Sequence, residues 1–199
     1  MKKISILIII LFSIQVLFSL DISRLNESNN WEIIQDEQIL IGWTEMSGFP
    51  ICKATAMLPY PLESISAIIK DVDNYTNVFL RLTESQSLEN DVIYIVLDMP
   101  FPFSSRDYII RYTKEKSDSK WVFRFTAVTH QDVPIMKENV RLINAAGEWN
   151  LKPSSENETM VTYIWNGELR GDFPKWAYSR AWKTQGNEMM EWLKDALGD

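Results

Sequence analysis

Residues 174–197 read PKWAYSRAWKTQGNEMMEWLKDAL, and this stretch decides the fold. Ala177, Tyr178, Ala181, Trp182, Met189, Met190, Leu193 and Leu197 recur at helical spacing, with Lys175, Lys183, Glu188, Glu191 and Asp195 mostly opposite them. Pro174 suits a first helical turn, where its missing N–H removes no bond. Gly186 in mid-helix costs roughly 1 kcal/mol against Ala, which implies close approach to another element. A lone amphipathic helix cannot bury such a stripe on itself, so a partner surface must come from the preceding chain.

Outward from the helix, that surface is β. Ile39–Met46 and residues 51–58 flank Ser-Gly-Phe-Pro at 47–50, a hairpin turn. Residues 61–72 are helical, with Ile65, Ile68, Ile69 and Val72 on one side, and Tyr75, Val78 and Phe79 make a second short helical turn. Strands follow at 83–88, 92–99, 107–113, 121–129, 140–151 and 160–168. Trp121, Phe123, Phe125 and Ala127 share one face, and Val122, Arg124 and Thr126 the other. A long helix after a run of antiparallel strands predicts an α+β fold in which a curved antiparallel sheet wraps around the C-terminal helix.

The chain has 199 residues, 46% apolar and 24% charged, enough for one domain with a real core. Twenty basic against 27 acidic residues argue against a phosphate-tracking nucleic-acid binder. One His and one Cys exclude Cys/His zinc sites, CxxC redox motifs, intrachain disulfides and schemes needing two histidines. Eight Trp, nine Phe and seven Tyr are a heavy aromatic load for one domain and need a reason.

Residues 1–20 are set apart from the fold. Lys2 and Lys3 precede an apolar run over residues 4–20, the layout of a secretory signal peptide. Ser19 suits the position before a cut, whereas Leu17 is larger than preferred, so a membrane anchor over residues 4–20 is the alternative. Export predicts a periplasmic or secreted domain spanning 21–199. Cys52 has no partner with which to mispair there.

Three stretches, in order, carry a family likeness. The first is VIYIVLDMPFPFSSRDYIIR at 92–111. The second is Val140-Arg141 followed by Gly147-Glu-Trp149-Asn-Leu151-Lys-Pro153, and the third is Thr162-Tyr163 followed by GDFPKW at 171–176. Over roughly residues 31–197 the chain resembles the START (StAR-related lipid-transfer) domain family, bacterial type, within the helix-grip, Bet v 1-like or SRPBCC superfamily. The resemblance implies a hydrophobic tunnel between sheet and helix that holds one lipid or other apolar molecule. The Pro-rich loop and the terminal helix would form its mouth. The acidic and basic positions that meet the ligand's polar end in eukaryotic sterol-binding relatives are not securely matched in this sequence, so ligand identity does not carry over.

Arg141 lies in a run where Arg141, Ile143, Ala145, Gly147, Trp149 and Leu151 share the apolar face of a single strand. A guanidinium there needs an acceptor. It is either a tunnel anchor for a lipid headgroup or a structural ion pair with Asp98 or Glu168. Arg106 and Asp107 open a strand beside the 99–105 loop, as gate residues at the mouth or as a salt bridge fixing the loop. Phe101 and Phe103, between and beside Pro100 and Pro102, either dip into a membrane interface or close the tunnel. Trp149 and Leu151 are expected on the tunnel wall, and Tyr178, Trp182, Met189 and Leu193 on its roof. Core packing is the alternative for each. His130 ends a strand without the surroundings of a nucleophilic triad. Asn26-Glu-Ser and Asn157-Glu-Thr match a glycosylation pattern short enough to arise by chance.

These readings converge on an exported, monomeric, non-enzymatic domain that binds a lipid or other apolar small molecule and makes transient membrane contact, with no cofactor and no metal. Two alternatives stand. One is a superfamily enzyme of polyketide cyclase or isomerase type, using Arg141 and a carboxylate in the same tunnel. The other is a packed domain that binds protein partners. A continuous apolar cavity between sheet and terminal helix of at least several hundred Å³, roughly the size of small-molecule sites, supports binding, and a packed interior counts against the lipid reading.

Overall fold

The computed structural model describes Ile22 and residues 30–171 and 173–198. The export segment, the Asn26 pattern and Asp172 of the GDFPKW stretch lie outside the described residues. Three strands come first: β1 (Glu32–Asp36), β2 (Ile39–Met46) and β3 (Phe49–Leu58). Helix α1 (Leu62–Lys70), a 3₁₀ turn (Val72–Asn74) and the short α2 (Tyr75–Val78) follow. Then come β4 (Leu82–Ser87), β5 (Val92–Leu97), β6 (Ser105–Lys116), β7 (Trp121–Ala127), β8 (Asn139–Arg141), β9 (Ala146–Ser155) and β10 (Glu158–Asn166). A second 3₁₀ turn (Lys175–Ala177) leads into α3 (Tyr178–Gly198). Among the described residues no helix is long and apolar enough to cross a membrane.

The main strands form one sheet in the order β1-β2-β3-β10-β9-β7-β6-β5-β4. Neighbours along this path are antiparallel. The β2–β3 hairpin turns at Ser47 and Gly48, whose φ of 53° and 81° suit a tight turn between right-twisted strands. β10 joins the N-terminal hairpin to the later meander by pairing with both β3 and β9. The expected α+β helix-grip architecture is therefore present, with α3 lying in the sheet's concave face.

Helix α3 carries two stripes with different roles. Trp182, Gly186, Met190 and Leu193 are buried in the core. At Gly186 an added Cβ would stand 2.9 Å from Ile41 Cδ1 and 3.3 Å from Ala54 Cβ, so the helix rests directly on β2 and β3. Close approach is what the mid-helix glycine implied. One turn earlier, Trp182 packs on Trp43 at 5.1 Å between ring centroids, and its Nε1 donates to the Gly167 carbonyl at 3.0 Å. Asn187 exchanges hydrogen bonds with Gln35 of β1 at 2.7 and 3.0 Å.

Two readings of the strands need correction. β1 was not anticipated, because Glu-Ile-Ile-Gln-Asp has no clean alternation and pairs with β2 alone, at the sheet's edge. The single strand over 140–151 is two segments. β7 stops opposite Ile110, which leaves the start of β6 with a free edge, and β8 fills it in parallel, with Asp107 opposite Arg141. The chain then turns, with Leu142 N–H donating to the Asp107 carbonyl at 2.8 Å, before β9 begins at Ala146.

Gly186→Leu drives a branched side chain into Ile41 and Ala54 and should destabilise the domain by about 2–3 kcal/mol, a usual overpacking cost. Urea denaturation measures it. A Gly186→Leu variant as stable as the parent would mean that α3 is not seated on β2 and β3 at this point.

Candidate functional site

The second stripe of α3, Gln185, Glu188, Met189 and Trp192, faces a space above β5, β6, β9 and β10. Alternation on β6 turns Tyr108, Ile110 and Tyr112 toward that space, and on β10 it turns Tyr163 and Trp165 the same way. The floor is a run of rings: Phe79 against Trp149 at 6.2 Å, Trp149 against Tyr163 at 4.2 Å, and Tyr163 against Trp165 at 5.0 Å. Two voids remain in it, of about 60 and 50 Å³, with Leu97, Tyr108, Phe125, Tyr163 and Gln185 walling both. These two spaces under α3 are small, and a space of several hundred Å³ opens only further out, where Leu97 of β5 and the first turns of α3 meet the Pro-rich loop.

The larger space is at the entrance. A groove of about 410 Å³ runs between the Pro-rich loop and the first turns of α3, walled by Met99, Pro100, Phe103, Phe173, Trp176 and Ala181 among others. Phe103 and Phe173 meet at 4.6 Å on its side. Phe101 and Trp176 are 97% and 85% exposed. Between groove and interior stands one ion pair. Arg81 donates through Nε and Nη2 to the two carboxylate oxygens of Glu188, each at 2.6 Å, and both residues wall the 60 Å³ void as well as the groove.

Of the residues expected to line a tunnel, Trp149 and Met189 wall the void. Leu151 and Leu193 are fully buried core residues. Trp182 belongs to the packed stripe, and Tyr178 packs against Phe173 and Trp182 at 5.8 and 5.5 Å. Arg106 and Asp107 are both fully buried, back to back on opposite faces of β6. Arg106 donates to the carbonyls of Leu169 (3.0 Å), Arg170 (3.1 Å) and Ser104, tying the segment before α3 to the Pro-rich loop.

The expectation for Arg141 is corrected. Because the chain turns between β8 and β9, Arg141 is out of phase with Trp149 and Leu151 and lies on the outer face of the sheet. There its Nη2 donates to Asp107 Oδ2 at 2.6 Å and to the Pro134 carbonyl at 3.0 Å. Tyr94 Oη donates to the same Asp107 oxygen at 3.3 Å. Asp98 instead accepts from Ser105 at 3.3 Å, and Glu168 from Asn144 at 2.9 Å. The Arg–carboxylate pair considered for acid–base chemistry is thus not assembled in the interior. Arg141 and His130 border a separate outer-face groove of about 600 Å³.

Motif reading missed Tyr75, Tyr108, Tyr112, Tyr163, Trp165 and Gln185. For Tyr108, Tyr112, Tyr163 and Trp165 the signal was the alternation of β6 and β10, which places these rings on the inner face; Tyr75 of α2 and Gln185 of α3 carried no such signal. Tyr75 Oη donates to the Ile69 carbonyl at 2.6 Å and meets Tyr112 Oη at 3.1 Å. Burial pushes the phenols of Tyr75, Tyr108, Tyr112 and Tyr163 above their ordinary range, so they remain neutral hydrogen-bonding groups.

A helix gripped by a curved sheet, with an aromatic interior and an apolar entrance groove, defines a domain built to bind a hydrophobic ligand. The chain belongs to the START domain family, whose sequence model matches residues 24–197. A Pseudomonas aeruginosa protein of uncharacterized role is 25% identical over 156 residues, covering 75% of this chain and 77% of that protein. The fold is similar to that of a STAR-related lipid transfer protein from Xanthomonas axonopodis (TM-score 0.73, 21% identity, covering 85% of this chain and 99% of the other). It is also similar to human StAR-related lipid transfer protein 5 (TM-score 0.80, 15% identity, covering 89% and 91%).

Removing one member of a buried ion pair strands the other, at a cost of about 3–5 kcal/mol. Arg141→Leu should therefore lower the thermal midpoint sharply, and adding Asp107→Asn should recover part of the loss. If Arg141→Leu keeps its midpoint but no longer takes up a lipid that the parent binds, Arg141 belongs to the ligand after all.

Proposed function

We propose that this domain is a non-enzymatic carrier that holds one lipid or other apolar small molecule between the sheet and α3, as an exported monomer that touches membranes transiently. The observation that carries the reading is the aromatic interior beneath the Gln185–Trp192 stripe together with the apolar groove leading to it. Each Å² of apolar ligand surface moved from water into such a lining contributes about 25 cal/mol.

The closed interior makes uptake a conformational event. The side chains between the two voids must turn aside, and the Arg81–Glu188 pair must part or swing, for a ligand to pass from the groove inward. The packed stripe of α3 holds the other side of the helix in place meanwhile. Exposed Phe101 and Trp176 supply the membrane contact on this reading, since large apolar side chains in water at the rim of a groove gain by entering a bilayer interface. The basic, apolar N-terminal segment supports export; mass spectrometry of the N-terminus of the protein from its own host distinguishes a cleaved chain from an anchored one.

Native mass spectrometry of the same material tests the carrier reading, the expected result being one co-purifying apolar molecule per chain. A clean apo mass, together with no uptake from liposomes, overturns it. Phe101→Ser with Trp176→Ser should slow extraction of lipid from vesicles about tenfold or more, given roughly 1.5–3 kcal/mol for each aromatic side chain kept out of water, and leave the thermal midpoint unchanged.

A further inference from the structure

Three hydrogen-bond donors at the interior are unused. The Trp165 indole Nε1 is buried and has no acceptor, and Trp165 is a wall of the 50 Å³ void. Tyr108 and Tyr163 wall both voids. Neither hydroxyl has a hydrogen-bond partner among the described residues, in contrast to Tyr75 and Tyr112, which satisfy each other. A buried donor with no acceptor is costly and uncommon in native interiors, and here one, Trp165 Nε1, stands by the 50 Å³ void together with two phenols that line the same space.

The charged groups around that space are already committed. Arg81 is held bidentately by Glu188, and Glu168, on the wall of the 50 Å³ void, accepts from Asn144. While Arg81 stays paired with Glu188, no other Lys or Arg among the described residues lines either void to neutralise a buried phosphate or carboxylate, and Glu168 stands in the wall of the 50 Å³ void. An uncharged acceptor is different: it needs only donors, and Trp165, Tyr163 and Tyr108 are donors.

Resting on the carrier reading above, we infer that the inner end of the site recognises an uncharged oxygen acceptor on an apolar molecule, such as an ester, ketone or hydroxyl, through Trp165 Nε1 and the Tyr108 and Tyr163 hydroxyls. The ligand enters polar end first, and its hydrocarbon lies toward the groove and Met189. Anionic and cationic amphiphiles are rejected by desolvation, because their charge would be buried without a counter-charge.

Four eighteen-carbon-chain probes test this on the purified full-length protein: methyl oleate and 1-octadecene below their solubility limits, and sodium oleate at pH 9 and octadecyltrimethylammonium below their micelle concentrations. Tryptophan fluorescence gives the affinities. Methyl oleate should bind about five- to tenfold tighter than 1-octadecene, the gain from roughly one net hydrogen bond, and both charged probes more weakly than 1-octadecene. The infrared carbonyl band of bound methyl oleate should lie below its position in hydrocarbon solvent. In Tyr108→Phe and Tyr163→Phe, which each remove one oxygen and keep the ring, that shift should shrink and the preference over 1-octadecene should fall toward unity.

Equal binding of the two neutral probes with an unshifted carbonyl overturns the inference and leaves the carrier reading standing. Preference for oleate or for the ammonium probe overturns it in favour of a charged headgroup. If no probe binds and liposomes give up no lipid, the carrier reading itself fails.

Discussion

Everything in this domain depends on how α3 meets the sheet. At Gly186 the helix backbone comes so near β2 and β3 that only a hydrogen fits between it and Ile41. The sheet curves, so a helix pressed onto one side of it must stand away from the other. The stripe through Trp182, Gly186, Met190 and Leu193 takes the close side. The stripe through Gln185, Glu188, Met189 and Trp192 is left over the far side, above β5, β6 and β9. Core and cavity are two faces of one helix, separated by the contact at a single glycine. Expecting Trp182, Leu193 and Met189 to form a common roof merged those faces.

The Arg-Asp pair at the start of β6 shows a similar division. In an extended strand neighbouring side chains point to opposite faces, so Arg106 and Asp107 cannot serve one purpose. Arg106, turned inward, commits its donors to carbonyls of Ser104, Leu169 and Arg170, joining the Pro-rich loop to the segment that launches α3. Asp107, turned outward, holds Arg141 and with it β8, where β7 has ended. Both ions are buried, which makes their partners matter: Asp107 Oδ2 accepts from Arg141 and Tyr94, while its Oδ1 has no partner among the described residues. The likeness at 92–111 thus marks a structural junction: the two halves of the entrance groove are set by one guanidinium.

Elements with a strong period were legible in the sequence. The terminal helix, the β2–β3 hairpin and the aromatic alternation of β7 all appear where hydrophobic spacing puts them. Arg141 was misplaced because residues 140–151 alternate without Gly-Pro punctuation until Gly147, so an unbroken strand was the simplest reading. What breaks it is a long-range fact, the vacant edge of β6, which no local pattern records. β1 was lost for the opposite reason: it is an edge strand paired on one side only, and its sequence has little need to alternate. The inner tyrosines could be placed on a face by counting along β6 and β10. Whether a given phenol finds a partner depends on which ring sits opposite it, as Tyr75 does for Tyr112 and no described residue does for Tyr108.

The nearly closed interior bears on what the aromatic load is for. A core built only for stability has reason to fill its voids and satisfy its donors, since each unfilled methyl-sized space costs about 1 kcal/mol and each stranded donor about 1–3 kcal/mol. This one satisfies its polar groups carefully on the close side of α3, where Trp182 reaches the Gly167 carbonyl and Asn187 pairs with Gln35. On the far side it leaves two voids, an indole N–H and two phenols without partners among the described residues. These gaps lie under the Gln185–Trp192 stripe and beside the groove at the Pro-rich loop, whereas the other buried side-chain atoms without a partner among the described residues, Asp107 Oδ1 and Arg141 Nε, lie on the outer face. Rings suit that position because they are rigid, expose flat apolar faces and lose little conformational entropy when a guest replaces a neighbouring ring as their contact. An interior that is stable when closed and short of hydrogen-bond acceptors when empty is one that a suitable guest completes.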